Sequence, residues 1–268
     1  MKKLIALLIT FICLILLCLG YIGQVIYEYH KSDSEYESLH DNYVSEEQEE
    51  NIIQTPHESP IPYRDVDIDG LLSANPDFVC WIYYNDGRID YPVVREREDD
   101  INGYLHRTFE GQPNNAGCVF IPYDASDDFS DSNTFFYGHN MKNGSMFGSL
   151  KKIFRNPDEN LTDPYFYVWT KDKEAIMYRV ISMYVVDKDS SYFAIPHGDK
   201  AFDSYLADIL KAGSIEGFIP FDDGEMQAME DRNPIATLSV CYGSAGTRNR
   251  LLVHGVEIYR EKYERRSE

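Results

Sequence analysis

The chain has 268 residues and a formal charge of −20, with 25 Lys and Arg against 45 Asp and Glu. That length holds one well-cored domain plus attachments, since single domains run to about 100–200 residues. The acidic excess excludes nucleic acid as a partner, because each phosphate contact needs a cation.

Residues 4–22 carry no charge, and about 20 apolar residues are what a helix needs to cross the hydrocarbon of a bilayer. Lys2 and Lys3 precede the run while Glu28, Asp33, Glu35 and Glu37 follow it, so the positive-inside bias predicts a cytoplasmic N-terminus and an extracellular remainder. The alternative is a cleaved signal peptide. The run exceeds the usual apolar core of about 7–15 residues, however, and no Ala-x-Ala-like site follows it. Residues 1–30 are therefore read as a single-pass signal-anchor in the cell membrane. Of five cysteines, Cys13 and Cys18 fall in this segment, leaving Cys80, Cys118 and Cys241 outside.

Residues 31–62 are rich in Asp, Glu, Ser and Gln and end with Pro56, Pro60 and Pro62. So few apolar groups cannot offset the entropy of ordering, and a solvated acidic stalk is expected, with helical parts near the membrane. The folded domain is expected over 63–262. It starts with a short helix in which Val66, Ile68, Leu71 and Leu72 have helical spacing, stopped by Asn75-Pro76.

Apolar or alternating runs bounded by turn residues follow at 78–84, 89–94, 117–121, 134–137, 165–170, 175–186, 235–241 and 251–259. Eight such runs predict a mainly β domain. Two helices interrupt them: a stripe of Met146, Phe147, Leu150, Ile153 and Phe154, and a second of Phe202, Tyr205, Leu206, Ile209 and Leu210, closed by Gly213.

Chemistry concentrates where strands give way to small, polar loops. Cys241 ends Pro234-Ile-Ala-Thr-Leu-Ser-Val-Cys241 and is followed by Tyr-Gly-Ser-Ala-Gly-Thr. Period-two alternation puts Thr237, Ser239 and Cys241 on one face of that strand. On the next strand Arg250, Leu252 and His254 share a face, and the loop between brings Arg250 back toward Cys241. His139 follows the strand Thr134-Phe-Phe in Tyr137-Gly-His-Asn-Met. Three reactive side chains at strand ends suit a site on one rim of a rigid scaffold. Taken singly, each has a bland reading: a buried structural cysteine, a structural histidine, a solvated arginine. Ser239, by its face, and Tyr242, by adjacency to Cys241, are candidate substrate contacts with equally structural alternatives. His254 reads as a hydrogen-bonded strand histidine, and Cys80 and Cys118 as core positions, with a disulfide between them as the lesser alternative. Asp124, Asp127, Asp128 and Asp131 lack the Gly and spaced Glu of a calcium loop and read as an acidic turn. No Cys or His pair has zinc-ligand spacing, so neither a metal nor a cofactor is expected.

Taken jointly, Tyr-Gly-His139-Asn-Met, Thr-Leu-Ser-Val-Cys241 and Arg250-Leu-Leu-Val-His resemble the three catalytic motifs of sortases, in the order His, Cys, Arg. The resemblance runs over about residues 65–260. Asn75-Pro-Asp, Trp81-Ile, Ile89-Asp-Tyr-Pro-Val-Val94, Tyr104-Leu, the run from Gly138 to Gly148 and the helix expected near 199–212 are similar to class B members. One departure is Val240, where the family commonly has Thr. The resemblance implies a closed, eight-stranded β-barrel. It implies Cys241 as nucleophile, His139 as proton-transfer partner and Arg250 as clamp for substrate and oxyanion. The implied reaction cleaves a C-terminal sorting signal of a secreted protein after Thr, the motif being of the Asn-Pro-x-Thr type. The thioester is then resolved by an amine of a peptidoglycan precursor or of a pilin lysine. Two other readings are a cell-wall L,D-transpeptidase, whose histidine-glycine-cysteine run is missing here, and a non-enzymatic, membrane-tethered binding module with an incidental thiol.

Overall fold

Alternating β-rich runs can bury one face only by pairing side by side, and a sheet that closes on itself leaves no edge to protect. The computed structural model, which describes residues 2–46, 59–84, 87–161, 163–244 and 246–264, resolves the runs in this way. Two short strands, β1 (Val44–Glu46) and β2 (Arg64–Val66), pair with each other outside the barrel. The barrel strands are β3 (Phe78–Tyr84), β4 (Ile89–Arg95), β5 (Val119–Ile121), β6 (Asn133–Gly138), β7 (Tyr165–Thr170), β8 (Glu174–Asp187), β9 (Ile235–Cys241) and β10 (Asn249–Lys262). They close in the order β10-β8-β7-β3-β4-β5-β6-β9. Pairing is antiparallel except for β4 with β5 and β6 with β9, so the mainly β domain expected from the runs is observed, closed as the eight-stranded barrel that the resemblance implies.

Strand β9 shows how the pleat divides two cores. Ala236, Leu238 and Val240 join Leu251 and Val253 in the main core. Ile235 lies with Leu252, Val256 and Ile181 in a second core outside the barrel wall. That second core is roofed by α5 (Asp199–Gly213), which buries Phe202, Tyr205 and Ile209, and by α6 (Asp223–Glu230), which adds Ala228 and Met229. Each fully buried side chain of this size contributes about 1.5–3 kcal/mol. A Cβ at Gly213 would collide with the Met183 carbonyl oxygen, so the glycine serves close packing against β8 as well as ending the helix.

Two expectations about helices are corrected. The stripe from Met146 to Phe154 is not one helix: α3 spans only Leu150–Arg155, followed by the short α4 (Pro157–Asn160). Met146 sits at φ 52°, and Gly148 lies so close to Met141 that an added Cβ would be 2.5 Å from its carbonyl oxygen. A tight turn buries Met146 and Phe147, mimicking helical spacing.

The second correction concerns the stalk. Helix α1 runs unbroken over Lys2–Tyr43, and its first part is the candidate membrane anchor, being long and apolar enough to cross a bilayer. Its last turns do not stand free in solvent. Ser32, Tyr36 and Leu39, spaced as one helical face, are buried against the barrel, and β1 and β2 tie the following segment down. The remainder of the expected stalk, 47–58, lies outside the described residues. The leading helix of the domain, α2 (Ile68–Ala74), is capped by Asp67, which accepts from the Gly70 amide at 3.0 Å.

Candidate active site

Three neighbouring strands build the site from the same alternation that divides the cores. Phe135 of β6 pairs with Thr237 of β9, which pairs with His254 of β10. Two residues on, Tyr137 pairs with Ser239, and Ser239 with Leu252. Cys241 stands opposite Arg250, and because Gly138 pairs with Val240, the next residue, His139, leaves β6 beside Cys241. The outer face of the barrel thus carries two three-residue rungs and a third, Cys241 with Arg250, at whose edge β6 ends one residue before His139.

The rung at the covered end is closed by hydrogen bonds. Thr237 donates its hydroxyl to Asn133 Oδ1 at 2.7 Å, so its oxygen accepts from His254 Nδ1–H at 2.8 Å. The other nitrogen, Nε2, then accepts from Tyr184 at 2.8 Å. Asn133 Nδ2 donates to the Ala194 carbonyl and to Tyr205, which donates to the Tyr192 carbonyl. Fully enclosed, the His254 imidazole has its pKa pushed down to about 3 by burial and is neutral. It is the hydrogen-bonded strand histidine expected from the sequence.

The open rung differs. Cys241 and Arg250 are half-buried. Arg250 Nη1 donates to the carbonyls of Thr247 and Asn249 at 3.0 and 3.1 Å, and among the described residues no carboxylate pairs with it. His139 Nε2 lies 2.9 Å from the Leu105 carbonyl. A carbonyl only accepts, so Nε2 bears the proton, and the lone pair of neutral His139 is on Nδ1. Burial lowers the His139 pKa below the ordinary imidazole value, with the Leu105 bond acting weakly the other way. The imidazole is therefore neutral at pH 7 and able to accept a proton.

Cysteine environment separates the candidates for a nucleophile. Cys80 and Cys118 are buried and free, with no disulfide between them, and burial pushes the Cys118 thiol up to about 12. Only a thiolate is strongly nucleophilic. Among the described cysteines outside the anchor helix, Cys241 alone is accessible.

The other two candidates differ from each other. Ser239 is 2% exposed, and its hydroxyl has no partner. Tyr242 turns toward α3, meeting Phe154 edge-on at 5.6 Å and the Arg155 guanidinium at 5.5 Å. Asn140, given no role from the sequence, donates Nδ2 to the Cys241 carbonyl at 2.8 Å, while its buried Oδ1 has no partner. Its only sequence signal was adjacency to His139. The acidic turn is engaged elsewhere: Asp127 pairs with Arg95 and Lys171, and Asp131 accepts from Ser126. Among the described residues no group of three or more His, Cys, Asp or Glu could hold a metal ion.

With this geometry established, comparison with known proteins is informative. The Sortase domain family matches residues 86–258. Sortase B of Listeria monocytogenes is 42% identical over 82 residues, 31% of this chain and 32% of that protein. Sortase B of Staphylococcus aureus is 22% identical over 156 residues, 58% of this chain and 59% of that protein. The chain thus spans about a third and about three-fifths of these two curated relatives. The crystal structure of sortase B from B. anthracis superposes with a TM-score of 0.66 at 25% identity, covering 87% of this chain and 99% of that one.

Proposed function

The chain belongs to the sortase family, with class B members as its relatives, and from that premise we propose that it is a membrane-anchored, extracellular cysteine transpeptidase. The observation that carries the reading is the open rung, where a half-exposed thiol stands directly opposite an arginine that has no carboxylate partner among the described residues, at the edge where β6 delivers a neutral histidine. An incidental thiol in a binding module gives no reason for that juxtaposition.

In the proposed reaction the Cys241 sulfur attacks the Thr carbonyl carbon of a sorting signal while its proton passes to His139 Nδ1. The oxyanion develops against the free N–H groups of Arg250, whose planar fork holds charge and the substrate backbone together. Collapse breaks the peptide bond, and His139 returns the proton to the departing amine, leaving a thioester. An acceptor amine, from a peptidoglycan precursor or a pilin lysine, attacks the thioester. It loses its proton to His139 and releases Cys241, which regains it. Asn140 orients Cys241 through the backbone. Ser239, buried one step along the strand from Cys241, offers its unpartnered hydroxyl to a substrate group that enters the rung, and Tyr242 stands beside Cys241 against Phe154 as a substrate contact. The domain outside the membrane, 63–262, carries this chemistry, with the anchor in 1–30 and the N-terminus in the cytoplasm.

The test is incubation with fluorogenic pentapeptides related to Asn-Pro-Gln-Thr-Asn and Leu-Pro-x-Thr-Gly. Cleavage after Thr, strongest for the Asn-Pro type and absent in Cys241→Ala, is expected. Failure on the whole panel, or cleavage that survives Cys241→Ala, contradicts the proposal.

A further inference from the structure

Helix α1 is 42 residues long, about 63 Å at 1.5 Å per residue, so it emerges from the candidate membrane segment without a break and meets the barrel. The contacts begin near the interface. Asn114 Nδ2 donates to the Glu28 carbonyl, Asn115 donates to the Glu28 carboxylate, and Asn143 donates to Asp33. All three partners lie in the two loops that flank His139. Tyr36 is buried in this contact, 6% exposed.

Two routes lead from Tyr36 to His139. Its hydroxyl donates to the Gly117 carbonyl at 2.6 Å in a buried bond. Gly117 has φ 60°, and a Cβ there would lie 3.0 Å from the Leu105 carbonyl oxygen and 3.1 Å from His139 Cδ2. The Gly117 backbone thus lies beside the imidazole and the carbonyl that fixes its tautomer, with no room for a side chain between them. Along the second route, the Tyr36 ring meets Tyr91 edge-on at 5.3 Å. The Tyr91 hydroxyl accepts from the Met146 amide at 3.1 Å. Met146 bridges to Asn140, and the Phe147 amide donates to the His139 carbonyl at 3.1 Å. Both walls of the histidine are braced from one side chain on the membrane helix.

We infer that Tyr36 is a positioning residue for His139, so that the juxtamembrane half of α1 is a working part of the site and not a spacer. The inference rests on the role proposed above for His139. Positional errors of an ångström cost catalysis steeply, so loosening either wall lowers turnover more than substrate binding.

The experiment uses the full chain in detergent micelles, with Tyr36→Phe as the variant that removes only the hydroxyl. Leu39→Ala serves as a packing control on the same buried face. The first readout is the pH-rate profile of Cys241 alkylation by iodoacetamide, assigned by peptide mapping, which needs no sorting substrate. The second is kcat and KM on the cleaved peptide. Tyr36→Phe should move the profile step that His139→Ala removes upward by about half a pH unit, toward the ordinary imidazole value. It should also lower kcat about tenfold with KM little changed. Leu39→Ala should lower the melting temperature and leave the profile in place. Coincident parent and Tyr36→Phe profiles, a profile without a His139-dependent step, or an equal shift in Leu39→Ala each overturns the inference. If the parent cleaves no peptide while Tyr36→Phe still shifts the profile, the transpeptidase reading fails and the positioning of His139 stands.

Discussion

One face of β6, β9 and β10 is polar at both ends, and the two ends treat their polar groups in opposite ways. At the end roofed by α5, the groups from Tyr184 through His254, Thr237 and Asn133 to Tyr205 form one directional chain of hydrogen bonds. At the other end, among the described residues, Arg250 has only the backbone carbonyls of Thr247 and Asn249 for partners, and Ser239 and Asn140 each keep a buried polar atom unpaired. An unpaired buried hydroxyl or carbonyl costs about 1–3 kcal/mol. On the proposed function, the unpaired atoms beside Cys241 are those to which a substrate brings partners, whereas the unpaired Thr134 hydroxyl lies on the opposite face of β6. Substitutions at the open end should therefore damage activity with little change in stability, and those at the closed end the reverse.

The largest effect is expected from Cys241→Ala, which should abolish peptide cleavage while circular dichroism and melting curves stay near parental, since a strand-end position tolerates a methyl. Next comes Arg250. Both Arg250→Lys and Arg250→Ala should lower kcat/KM by about a hundredfold or more, the loss of one oxyanion donor, with melting shifts within about 2 °C. Near-parental activity of the lysine variant would reduce Arg250 to a diffuse charge and blur the contrast between the ends.

The closed end gives the opposite signature. The folded pKa of His254 is about 3, below the ordinary imidazole value of about 6.5 in the unfolded chain. Its contribution to stability is thus complete above about pH 6.5 and lost as the pH falls from there toward 3. Between pH 7 and pH 5 the loss should reach about 2 kcal/mol, read by chemical denaturation. In His254→Gln that part of the acid slope should disappear, while cleavage per folded molecule changes less than about threefold. A slope unchanged by the substitution would mean that His254 is not held neutral. The smallest effect on activity belongs to Ser239→Ala: removing an unpaired hydroxyl should raise stability by about 1 kcal/mol, the low end of that cost, and raise KM a few-fold. Unchanged kinetics would make Ser239 a packing residue.

The open rung was legible because its residues sit where strand alternation meets small polar loops, so spacing alone put Ser239 with Cys241 and Arg250 with His254. Register across the parallel β6–β9 pair was not legible, since nothing local in Gly138-His139 specifies its neighbour. The stripe from Met146 misled because a turn anchored by Gly148 buries the same apolar positions as a helix. The buried face of α1 was visible as Ser32, Tyr36 and Leu39 at helical spacing. The many acidic residues around it made composition point to solvent instead. Asn140 was missed because its hydrogen bond is to a backbone carbonyl on another strand, which no one-dimensional pattern carries.

We propose that the open rung is a transpeptidase site whose nucleophile is Cys241. It is tested most directly by intact-mass spectrometry of the full chain mixed with an Asn-Pro-Gln-Thr-Asn-containing peptide, quenched in acid and mapped by proteolysis. A transient adduct equal to the peptide's N-terminal fragment through Thr, linked as a thioester to Cys241, is expected. It should be absent in Cys241→Ala and discharged onto an added amine as a new peptide bond. A cleaved peptide with no adduct on Cys241, or an adduct on another residue, would contradict it.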